Sequence, residues 1–110
     1  MNRRKLSLSA PLCLAVCFSV VTVDASDVID RLLMGSCIDC HDGQSETGFD
    51  ITGLTLELDD AVQFRAWVKV FDRVNRGEMP PQDAAQPSAE VKATALDRLS
   101  HLLTEANLER

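Results

Sequence analysis

Residues 36 to 43 read SCIDCHDG, with two cysteines separated by two residues and a histidine directly after the second. That spacing puts both thiols on one side of a single turn, at a separation suited to thioether bonds with the two vinyl groups of haem. The next side chain, His41, is then held beneath the iron as proximal ligand. Residue types and order all matter, so CxxCH is far more specific than CxxC alone. Three other chemistries start from the same residues. A closed zinc site wants four ligands. Cys37, Cys40 and His41 leave only His101 or a carboxylate as the fourth, and the neighbours Cys40 and His41 are awkward on one small ion. A thioredoxin-like dithiol is expected at a helix start following a strand, in an α/β context that is missing from this pattern. The blandest alternative is a surface CxxC followed by an unrelated histidine. Covalent haem accounts for the most features, and it names Cys37, Cys40 and His41 as the attachment and proximal residues.

Iron held by one histidine is open on its far side unless the chain supplies a second ligand, and Met/His pairing raises the potential in c-type cytochromes. Met34 lies seven residues before His41 on the approach to the motif, where a core role is the expectation. His101 falls opposite the apolar stripe of the last helical segment, on a solvated face. Met79 lies 38 residues after His41, enough chain to wrap a haem edge, and Pro80 and Pro81 stiffen its loop. Met79 is therefore the expected sixth ligand. Arg65, Arg73 and Arg76 flank the Trp67 segment as possible partners of haem propionates, Arg73 foremost. Trp67 is expected to pack in the core, with the haem ring as one option for its neighbour, and its indole N–H seeks a partner.

The elements that must position these residues read as helices. Ser26 is the expected cap of a short helix carrying Val28, Leu32 and Leu33, broken at Gly35. Residues 42–58 are loop-like, punctuated by Gly43, Gly48 and Gly53, with Leu54, Leu56 and Leu58 as a weak strand signal. Asp60 with Gln63 resembles a capping box. Phe64, Trp67, Val68, Phe71 and Val74 follow as one apolar stripe, and Gly77 is a left-handed stop. EMPP is expected to run extended, because each proline bars the preceding residue from the helical region. Ser88 opens a last helix with Val91, Ala95, Leu99, Leu102, Leu103 and Ala106 on one face. The expected class is all-α, a small domain of three to four helices around a covalent haem.

The 110 residues allow one domain, and residues 1–25 stand apart from it. Arg3, Arg4 and Lys5 precede an uncharged run of 18 residues from Leu6 to Val23, and Val23-Asp24-Ala25 fits a signal-peptidase site. Residues 1–25 are thus expected to be a secretory signal peptide, and residues 26–110 the mature domain. The run just reaches spanning length, so contact with a membrane is expected only if the signal is retained as an anchor. A lipoprotein role for Cys17 is weaker, since Val16 before it is bulky. Cleavage after Ala25 removes three basic residues and Asp24, taking the formal charge from −6 to −8. Such a surface repels nucleic acid and anionic lipid and favours a partner with a basic docking face. Only Cys37 and Cys40 remain, and a bridge between them would close too short a loop to stabilise an exported domain this small. A haem disc supplies the missing core.

The order CIDCHDG, GFDITGL, WVKVFDRVNRGEMPP and a closing amphipathic helix resembles the Planctomycete-type cytochrome c domain, a branch of the class I cytochrome c fold. The similarity covers about residues 29 to 106, and its specific parts are CxxCH and the run from Trp67 to Pro81. The resemblance implies thioether sites at Cys37 and Cys40, axial ligands at His41 and Met79, and one haem c. It departs at Phe71, where the family is expected to have histidine. That family's domain usually opens a much longer exported protein, so this sequence stands either for a single small cytochrome or for part of a longer chain. The implied role is an electron-transfer protein rather than an enzyme, exported to the periplasm or cell envelope and passing single electrons to a redox partner. The alternative is a haem sensor or a ligand-binding or catalytic haem domain with an open or labile sixth position.

Overall fold

The computed structural model describes Ser19 and residues 24–110; nearly all of the expected signal peptide lies outside these residues. The described chain is all-helical, with α1 (Ala25–Ser36), α2 (Ala61–Asn75) and α3 (Ala89–Leu108). No helix among the described residues is long and apolar enough to cross a membrane.

Helix α1 starts two residues earlier than expected from Ser26. Asp24 is extended, and its carboxylate accepts the Ser26 N–H at 3.2 Å, so Asp24 is the cap and Ser26 lies inside the first turn. Nor does Gly35 break the helix. It stays helical, and the ladder closes two residues later, where Cys37 N–H and Ile38 N–H both donate to Leu33 O. The stripe that α1 buries is Val28, Ile29, Leu32 and Leu33. Met34 points away from it and is 58% exposed, which overturns its expected place in the core. At one residue beyond Leu33, the 100° step of the helix carries Met34 off the buried face.

Asp60 caps α2, accepting from Val62 N–H at 2.6 Å and Gln63 N–H at 3.3 Å. Gln63 does not complete the capping box. Its side chain turns back to the preceding loop, accepting from Thr55 N–H at 2.8 Å and donating to Gly53 O at 3.1 Å. Trp67 Nε1–H donates to Thr55 O at 2.8 Å from a side chain only 2% exposed. Both backbone polar groups of Thr55 are thereby taken by α2 side chains, and no strand forms at Leu54 to Leu58. The indole bond matters, because an unpaired buried donor costs about 1–3 kcal/mol.

The exit of α2 is a Schellman motif. Gly77, at φ +72°, lets its N–H return to Val74 O at 3.1 Å while Glu78 N–H returns to Arg73 O at 2.9 Å. Met79 N–H also reaches Arg73 O, at 3.2 Å. The chain therefore leaves α2 folded back on itself and bends at Met79 and Pro80, through a cis peptide bond, instead of running extended.

Ser88 caps α3 through the Val91 N–H at 3.2 Å, and Ala95, Leu99 and Leu103 are its buried residues. This helix packs on both α1 and α2, whereas α1 and α2 form no helix pair with each other. One apolar cluster results. It combines the α1 stripe, Ile51 and Leu58 from the connection, Trp67, Val70 and Val74 from α2, and the three α3 residues. Phe64, Val68 and Phe71 pack on its margin. At the far end Arg110 donates to Leu58 O at 2.7 Å and lies over the Phe64 ring, 4.2 Å from its centroid.

Gly77→Ala should lower stability by about 1–2 kcal/mol, because a Cβ in the left-handed region meets the following carbonyl. The urea midpoint reads this directly, and an unchanged midpoint would remove the left-handed stop from the account.

Candidate functional site

The turn carrying the motif continues directly from α1. Cys40 N–H and His41 N–H both return to Cys37 O, at 3.2 and 3.0 Å, so residues 37 to 41 form one helical turn past the end of the helix. From His41 the chain makes an excursion and comes back: Ile51 N–H donates to His41 O at 2.9 Å. Two carboxylates organise that excursion. Asp42 Oδ1 accepts from Gln44 N–H, Ser45 N–H and Ser45 Oγ at 2.9 to 3.0 Å. Asp50 Oδ1 accepts from Thr52 N–H at 2.8 Å and Thr52 Oγ1 at 2.6 Å. Hydrogen bonds to the ionised form hold both carboxyls below their ordinary range: for Asp42 chiefly the Gln44 amide, for Asp50 chiefly the Thr52 hydroxyl. The two halves of the loop touch at Gly43, where a Cβ would come within 2.7 Å of Asp50 Oδ2.

This loop fixes the His41 ring. Nδ1 lies 2.9 Å from Phe49 O and 3.0 Å from Thr47 Oγ1. The Phe49 carbonyl can only accept, and the Thr47 hydroxyl has its own acceptor in Cys40 O at 2.9 Å. Nδ1 therefore carries the proton and donates, which leaves Nε2 with a free lone pair. The Phe49 ring meets the imidazole edge-on, with centroids 5.7 Å apart and planes at 83°. A histidine whose Nδ1–H is spent on a backbone carbonyl and whose Nε2 is free has the form that protein ligands to metals take.

His41 lines a cavity of about 330 Å³, within the size range of small-molecule sites. It lies in the space left between α1 and α2. Leu33 and Cys37 line it from the end of α1, and Thr47, Phe49 and Ile51 from the loop. Lys69, Val70, Arg73 and Val74 line it from α2, and Met79 from beyond its end. Three of the four residues singled out by the sequence thus converge: Cys37, His41 and Met79. Cys40 is exposed and stands outside the lining, one turn on from Cys37. Cys37 is half-buried, its thiol 3.6 Å from Leu32 O, and burial pushes that thiol up. Met79 is 37% exposed.

Trp67 packs in the core as expected, with its indole N–H on Thr55 O, and it does not line the cavity. His101 is exposed beside Asp97 at 3.7 Å, on the solvated face expected for it. Among the described residues no three His, Cys, Asp or Glu side chains gather in metal-binding geometry. Of the three arginines, only Arg73 reaches the cavity, and it pairs with Glu78 at 2.6 Å. Arg76 is turned to Asp72 and Glu78. Sequence reasoning missed Thr47, Phe49, Ile51, Lys69 and Val70. Phe49 and Ile51 carried a signal, as isolated apolar residues just past Gly48 in an otherwise polar loop.

No family model, curated protein or solved structure matches this chain.

In protein carrying free thiols, iodoacetamide at mildly alkaline pH should modify Cys40 well before Cys37, as peptide mass mapping would record; equal rates would contradict the half-buried position of Cys37. A second outcome concerns acid. The folded values of Asp42 and Asp50 lie below the unfolded value of roughly 3.9. Their support of the loop is therefore complete above that pH and is lost as pH falls through the depressed folded values. Amide exchange at Gln44, Ser45 and Thr52 should accelerate only in that acid window, relative to amides in α3.

Proposed function

We propose that this chain is an exported c-type cytochrome domain carrying one covalent haem c and transferring single electrons, of the Planctomycete-type cytochrome c kind. The observation that carries the proposal is the convergence of Cys37, His41 and Met79 on one apolar cavity, with His41 held in the tautomer that frees Nε2. The donor set fits the group: imidazole nitrogen and thioether sulfur are the axial pair of c-type cytochromes. Leu33, Phe49, Ile51, Val70 and Val74 supply the apolar walls an extended ring system requires. Bound there, haem supplies a one-electron iron couple.

The chain's own residues do the rest. Cys37 and Cys40, on one helical turn, would hold the group covalently. Phe49 O and Thr47 orient the imidazole through Nδ1. Arg73 O holds the backbone N–H groups of Glu78 and Met79, so the sulfur is presented from a segment tied to α2. Exclusion of water by the apolar walls and the neutral sulfur ligand both favour the reduced form. The export pattern of residues 1–25 supports a periplasmic or cell-envelope location, and the acidic balance of the mature segment supports a redox partner with a basic docking face.

The exposure of Met79 favours a second reading, a sensor or ligand-binding haem domain whose sixth position opens readily. One set of measurements separates the readings. Protein made with the haem-attachment machinery should retain a haem stain through denaturing electrophoresis and carry the adduct on the peptide spanning residues 37 to 41. Its oxidised form should refuse cyanide, and its reduced form carbon monoxide, until Met79→Ala opens the iron. Ready binding of both ligands by the unaltered protein would select the sensor reading, and absence of the adduct would end both.

A further inference from the structure

The cavity walls are largely apolar, with His41 and Thr47 on the motif side, and its two basic side chains come from one place. Lys69 and Arg73 are four residues apart on α2, one turn from each other, and both line the cavity. This is unusual company for a chain whose formal charge is −6. Among the described residues no carboxylate lines the same cavity. The thiol and imidazole belong to a different wall, built by the motif turn and its loop.

We infer that Lys69 and Arg73 form the carboxylate-binding side of this site, pairing with the two propionate groups of the haem. This rests on the function proposed above and adds to it the residues that would neutralise the cofactor's carboxylates. Lys69 makes no ion pair among the described residues, so its ammonium group is uncommitted. Arg73 gives Nη1 to Glu78. A guanidinium carries five donors in a planar fork, and the remaining ones suit a second carboxylate. Without the two cations, a ring bearing two carboxylates would bring uncompensated negative charge to the mouth of an apolar cavity, which is costly. Arg65 lies on the same helix, is exposed, and is absent from the lining, so it serves as a cation of equal charge outside the site.

The test uses the matured holoprotein with Lys69→Gln, Lys69→Glu, Arg73→Gln and, as control, Arg65→Gln. Covalent haem content by stained gel and mass is measured first, because a chain with no adduct refutes the cytochrome reading itself rather than this pairing. With haem in place, Lys69→Gln should shift the propionate-bending bands in resonance Raman spectra and lower the midpoint potential, since a neighbouring positive charge favours the reduced iron. Lys69→Glu should lower the potential further. Arg65→Gln should leave the Raman bands in place. Arg73→Gln also breaks the bridge to Glu78, so Lys69 supplies the decisive variants. Raman bands that stay fixed in both Lys69 variants, with haem attached, would overturn the assignment, as would equal potential shifts in Lys69→Gln and Arg65→Gln.

Discussion

Helices α1 and α2 each bury their apolar stripe against α3 and not against each other. Everything at the site follows from that division. Two helices held by a third have their near ends spaced apart, and the space between them becomes the cavity into which Cys37, His41 and Met79 project. Leu99 and Ala95, both fully buried, set how closely α3 approaches its two neighbours. A small residue at 95 admits close approach and a large one at 99 fills the junction. Interiors are packed densely enough that changing either volume would be felt at the cavity walls.

The site is assembled by backbone accounting as much as by side chains. The carbonyl of Cys37 takes the amides of Cys40 and His41, the carbonyl of Phe49 takes the imidazole Nδ1–H, and the carbonyl of Arg73 takes the amides of Glu78 and Met79. Each functional side chain is thus next to a main-chain bond that fixes where it starts. Described in this way, the loop from 42 to 51 is a device for delivering one carbonyl to one ring nitrogen. Asp42 and Asp50 shape it, and Gly43 permits the close approach of its two halves.

Much of this was legible in the sequence, for local reasons. The CxxCH spacing identifies its own turn, Asp60 and Ser88 sit where caps belong, Gly77 marks the end of α2, and the stripes of α2 and α3 fall at helical spacing. What was not legible depends on contacts distant along the chain. Trp67 is as apolar facing Thr55 as it would be facing a cofactor, and periodicity does not distinguish the two. Met34 looks like a core residue until the direction of the α1 stripe is known. The bend at Met79 arises from two amides sharing the Arg73 carbonyl, whereas the rule for residues before proline suggests extended chain. The strand signal at Leu54 to Leu58 failed because Gln63 and Trp67 claim the polar groups that a neighbouring strand would need.

The cap of α1 would bear on any processing of the chain after Ala25. Asp24 stands on the departing side of a cut after Ala25, and its carboxylate is what meets the first free amide of the helix. Processing at that bond would exchange a negative group at the positive pole of the helix dipole for a newly made ammonium ion at Ser26, a reversal of sign where the dipole tolerates it least. The first turn would then unravel as far as Val28 and Ile29, whose burial holds the remainder in place.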